Sequence, residues 1–184
     1  MKTIWMQTLL WLAAVATALA LAFATPSESS VMGRLPSLTA KRLDSQMVSL
    51  PQGLPASRTL ALVAFQGGHH GEIDSWIRGL QLRQDASIPW MKIPVLEDPG
   101  NEGARSVIEN RMLARHTSQA DRERLLPIFT DRNAFVRSAG LSGTDHAGVL
   151  VLGRDGRVLA RVEGHFDQDK AQALLETLVG RDYD

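Results

Sequence analysis

Apolar residues form three strand-length runs in the chain: residues 59–65 (TLALVAF), 90–96 (WMKIPVL) and 148–152 (GVLVL). The first is too apolar to alternate, the pattern of a strand covered on both faces. It stops at a polar, glycine-rich loop, residues 66–71 (QGGHHG). Behind the loop Ile73, Trp76, Ile77 and Leu80 recur at i, i+3, i+4 and i+7, which is one face of a helix. Glu72 and Asp74 sit in its first turn, where they suit the positive end of the helix dipole. Pro94, inside the second run, implies an irregular or edge strand, which Glu97-Asp98-Pro99-Gly100 ends in a turn. Ala104, Val107, Ile108 and Met112 mark a second helix reaching about Arg115. A helical turn at residues 122–126 and a short strand at residues 128–129 follow. Asp131 then caps a brief helix that ends at Gly140.

On the amino-terminal side, residues 37–50 alternate loosely around the polar turn Asp44-Ser45-Gln46. That predicts a hairpin with Met47, Val48 and Leu50 in its second strand. Residues 51–57 (PQGLPAS) break regular structure. On the carboxyl side, Arg154-Asp155-Gly156 supplies the Asp-Gly of a tight turn. Val158, Ala160 and Val162 then alternate with Arg157, Arg161 and Glu163, giving a return strand with one wet face. Asp167 caps the last helix, Ala171, Leu174, Leu175 and Leu178 form its inner face, and Gly180 stops it. The order is hairpin, β-α-β-α, a short connection, then β-β-α. It predicts an α/β fold with a central mixed sheet, an N-terminal β-hairpin and helices on both faces.

Composition refines this picture at two points. The chain has 184 residues, 44% hydrophobic and 22% charged, which suits one globular domain and a targeting segment. Residues 1–24 carry an early lysine, an apolar stretch and an Ala22-Phe23-Ala24 end, which reads as a signal peptide; uncleaved, the same segment is a signal anchor. Residues 25–37 read as a linker and residues 38–180 as the domain. The expected location is periplasmic or secreted, or tethered to the inner membrane if the anchor stays. Formal net charge is zero, with no block of like charge, so a nucleic-acid partner has no footing and membrane contact runs only through an uncleaved N-terminal segment. The second point is decisive for chemistry. There is no cysteine in these 184 residues, which excludes disulfides, thiolate metal sites, iron–sulfur clusters and thiol catalysis.

Residues 47–65 (MVSLPQGLPASRTLALVAF) and 148–164 (GVLVLGRDGRVLARVEG) resemble the redoxin branch of the thioredoxin-like superfamily. The first resembles the redoxin strand, Pro/Gly connection and central strand; the second, its closing hairpin. The resemblance implies a thioredoxin-like fold over roughly residues 38–179. In that family a cysteine motif follows the central strand, and a cis-proline on a facing loop precedes the hairpin strand. Here those places hold Gln66-Gly67-Gly68-His69-His70 and Gly143-Thr144-Asp145-His146-Ala147. A thiolate is the nucleophile of redoxin chemistry and no other side chain replaces it. The combination FQGGHHGEIDSW, a proline-containing strand, ENRM and PIFTDRNAF resembles the cysteine-poor group of the mitochondrial ATP synthase assembly factor. That narrower resemblance implies a protein partner, an assembly role at a membrane complex, and no redox activity.

The resemblance sets Gln66, His69, His70, Asp145 and His146 together as a contact loop, an edge strand being the other candidate surface. No catalytic residue and no cofactor is expected. The competing reading is a zinc- or copper-binding protein using His69 or His70 with Asp145 and His146. Glu97 and Asp98 are better explained by a turn than as an acid/base pair. No phosphate-loop spacing occurs, and Ser75 and Ser106 lack a nucleophile-elbow context.

Overall fold

The computed structural model describes residues 32–180; the leader, residues 1–24, lies outside them. A two-stranded antiparallel hairpin comes first, β1 (Leu38–Lys41) and β2 (Met47–Leu50). The main sheet has five strands in the order β5-β4-β3-β6-β7. These are β3 (Arg58–Ala64), β4 (Trp90–Leu96), β5 (Ile128–Phe129), β6 (Gly148–Gly153) and β7 (Val158–Glu163). β3 runs parallel to β4 and antiparallel to β6. A single 3-10 turn, Gly67–His69, leads from β3 into α1 (His70–Gly79). Then come α2 (Glu102–Arg115), α3 (Gln119–Glu123), α4 (Arg132–Ala139) and α5 (Gln168–Val179). This is the thioredoxin-like α/β fold that the order of elements predicts.

The unbroken apolar run of β3 reflects its place in the middle of the sheet. Alternate residues serve two cores, because successive side chains point to opposite faces. Leu60 and Leu62 pack with Ile73, Trp76 and Ile77 of α1 and with Ala171 and Leu174 of α5. Ala61 and Val63 join Leu50, Phe135, Val136 and Ala139, so the hairpin and α4 cover the opposite face. Helices therefore lie on both faces. α1 is fixed further by Trp76, whose indole N–H donates to the Gly164 carbonyl (2.9 Å).

Pro94 does not mark an edge. β4 lies between β3 and β5, with Pro94 in register with Ala64. The Lys92 N–H bonds the Arg124 carbonyl, on the β5 side, and backbone groups alternate, so the N–H that Pro94 lacks also falls on that side. There the pairing is two residues long and follows Pro127, and little is lost. α2 also departs from its sequence pattern. None of its residues is fully buried, and Val107, one of the four apolar positions that mark it, is 50% exposed. The helix meets the domain along one flank, where Glu109 pairs with Lys41 of β1 (2.6 Å).

The ordered domain begins ahead of Leu38, inside the stretch read as linker. Leu35 is 2% exposed and belongs to the α4-side core. The Val158 N–H bonds the Gly33 carbonyl, and the Leu35 N–H bonds that of Gly156. Gly140, the C′ residue of α4, has φ 71°, and a side chain there would run into the Met32 carbonyl. The polar run of small residues around Leu35 hid this, because between Gly33 and Ser37 the packing rests on that one large apolar side chain. Among the described residues no helix is long and apolar enough to cross a membrane.

Candidate functional site

The expected loop forms at the carboxyl end of β3, where ligand sites in open α/β sheets gather. Its adjacent histidines differ completely. His69 is 3% exposed, while Gln66, Gly67, Gly68 and His70 lie in solvent. The Phe65 N–H donates to His69 Nδ1 (3.3 Å), so the ring hydrogen belongs on Nε2, which donates to the Asp145 carbonyl (3.2 Å). The Gln66 amide lies 3.0 Å from the same Nε2; its oxygen is the atom that suits this tautomer. The Phe65 ring stands edge-on to the imidazole. His69 thus ties the end of the central strand to the loop before β6, through its own ring and two backbone groups.

A second link crosses beside it. Glu72, in the first turn of α1, is buried; its Oε2 accepts from the Ala147 N–H (2.5 Å) and its Oε1 meets His146 Nδ1 (3.0 Å). Burial alone would push the Glu72 carboxyl up, but the bonds from His146 and Ala147 prevail and hold it below the usual carboxylate range. Glu72 in turn raises His146, by hydrogen bond first and by charge second. Sequence reading saw Glu72 only as a helix-dipole residue and missed it as a partner. Its position, directly after the loop in the first turn of the helix, was the available signal. Arg132 was missed as well: it donates to the Phe65 carbonyl (3.3 Å) and pairs with Glu97.

The five predicted residues divide accordingly. Gln66, His69, Asp145 and His146 border one surface formed by the two loops, with His69 beneath it. His70 turns instead toward a cavity that it shares with Lys92 and His116. Both nitrogens of His69 are already engaged. Among the described residues no three His, Asp, Glu or Cys side chains stand close enough to hold a metal ion. Glu97 and Asp98 pair with different arginines, Asp98 with Arg105 (2.5 Å), so they are not an acid/base couple. The two loops form a hydrogen-bonded, polar surface without a thiol.

No protein-family model and no curated protein matches the sequence. Solved structures do match in fold. A putative electron transfer protein of Aquifex aeolicus aligns at TM-score 0.58 and 11% identity, over 83% of this chain and 100% of that one. A member of the Sco family of cytochrome c oxidase assembly proteins aligns at TM-score 0.52 and 15% identity, over 79% and 91%. An exposed lipoprotein thioredoxin of Streptococcus pneumoniae aligns at TM-score 0.50 and 12% identity, over 77% and 99%. The thioredoxin-like fold is therefore shared, while the cysteine on which thiol chemistry depends is absent from this sequence.

Proposed function

We propose that the protein is a non-catalytic binding and assembly protein of the cell envelope. Its contact surface is the edge formed by the loop after β3 and the loop before β6. The observation that carries this reading is His69, a buried side chain locked to two backbone groups at the place where redoxins carry their reactive thiol. A locked imidazole holds two loops in register and leaves Gln66, Gly67, Gly68, Asp145 and His146 displayed on a rigid frame. Rigid loops on a packed scaffold are the usual carriers of recognition. The resemblance to the ATP synthase assembly factor group supports a membrane complex as the partner. The apolar leader supports a location outside the cytoplasm, either free or tethered.

Crosslinking and affinity capture from membranes of the source cell test this. Gly68→Arg is a clean variant, because nothing lies within 4 Å of a Cβ built there. The wild type is expected to recover subunits of one membrane complex and Gly68→Arg to recover them at least about tenfold less well, the loss a blocked hot spot gives. Equal recovery by both, no membrane complex at all, or reduction of insulin disulfides by the purified protein overturns the reading.

A further inference from the structure

A cavity of about 230 Å³ opens between the amino end of α1, the carboxyl end of α2 and the face that β3 and β4 turn toward them. Leu62, Ile73, Leu96 and Met112 give it mainly apolar walls. Its charged lining, Lys92 and Arg115, is of one sign. His70, Lys92, Arg115 and His116 reach it, and no carboxylate does.

Lys92 sets the chemistry. It projects from the middle of β4 and is half-buried. No hydrogen bond or ion pair within the described residues takes up its ammonium group. Burial holds it below the usual lysine range, while Asp74 and Asp121 act in the opposite direction and Arg83 adds to the lowering. His116 beside it is lowered too, by burial first and by Lys92 second. A cation partly withdrawn from water without a direct partner favours an anion as its neighbour. The apolar walls require that the anion carry an apolar body. The volume is that of roughly eight waters, which limits the guest to roughly eight to ten heavy atoms.

We propose that this cavity binds a small apolar carboxylate of about six to eight carbons. The carboxylate group sits on Lys92 and the chain lies against Leu62, Ile73 and Met112. Gln66 and Gly67 border both this cavity and the contact surface, whereas Lys92 and Met112 belong to the cavity alone. The two proposals therefore stand or fall separately.

Calorimetric titration of the full chain with sodium hexanoate tests it, with hexan-1-ol and sodium acetate as the arms lacking the charge and the body. Hexanoate is expected to bind with a Kd of about 1 mM or tighter. Both hexan-1-ol and acetate should bind at least about tenfold more weakly, the range expected for losing a charged hydrogen bond or most of the buried chain. Lys92→Met should remove the preference for hexanoate over hexan-1-ol. Hexan-1-ol or acetate binding the wild type as well as hexanoate overturns the proposal, as does absence of hexanoate binding at about ten times that Kd. A folded Lys92→Met protein that keeps full hexanoate affinity overturns it too.

Discussion

His69 and His70 are neighbours in sequence and opposites in structure. His69 completes the hydrogen bonding of the Phe65 N–H at the end of β3, and His70 is exposed at the first turn of α1. His69→Phe keeps an aromatic ring but leaves the buried Phe65 donor unpaired. It is expected to lower unfolding free energy by about 1–3 kcal/mol. His70→Ala should stay within about 0.5 kcal/mol. Urea unfolding of the two variants checks both figures, and equal destabilisation would remove the locking role of His69. At this scale the sequence marked the loop at the end of β3 but could not say which histidine turns inward. A 3-10 turn of three residues decides that, and no periodicity extends over so short a piece.

At the scale of elements, Glu72 joins α1 to the start of β6, and pH reveals the joint. The folded state raises His146 above its ordinary value of 6.5. Its contribution is therefore complete below that value and fades as pH rises through the raised one. Glu72 is lowered from 4.5, so its contribution is complete above that value and is lost as pH falls through the lowered one. The pair stabilises most between the two ordinary values. His146→Asn should therefore reduce Tm most near pH 5.5–6 and little at pH 9, in thermal scans across that range. A reduction that does not vary with pH would rule out the ion pair. Asp145 and Glu163 also raise His146, so the measured window will lie slightly above that set by Glu72 alone. The strands, their order and the caps Asp131 and Asp167 were readable in the sequence, since period and cap chemistry are local. The Glu72–His146 joint was not, because it closes across 74 positions.

For the molecule as a whole, the amino-terminal boundary is the feature that local pattern misplaced. Residues 33–35 brace the turn after β6 and the beginning of β7, and Leu35 fills the core beneath α4. Leu35→Ala is expected to cost about 2–4 kcal/mol, measured by chemical denaturation; a change below about 0.5 kcal/mol would return the segment to the status of a linker. Truncations meant to keep the domain intact should therefore spare Gly33.

The strand order also sets a timetable. β3 finds β4 nearby in the chain, but its other neighbour is β6, with Arg58 opposite Gly153 and Val63 opposite Gly148. Closing so long a loop is slow, because its entropy is lost before any pairing is gained. A chain made from its amino end therefore holds its central apolar strand half paired until residues 148–153 have been synthesised. During that interval it is an open, apolar substrate for whatever receives it, and an intact sheet forms only once the carboxyl-terminal hairpin arrives.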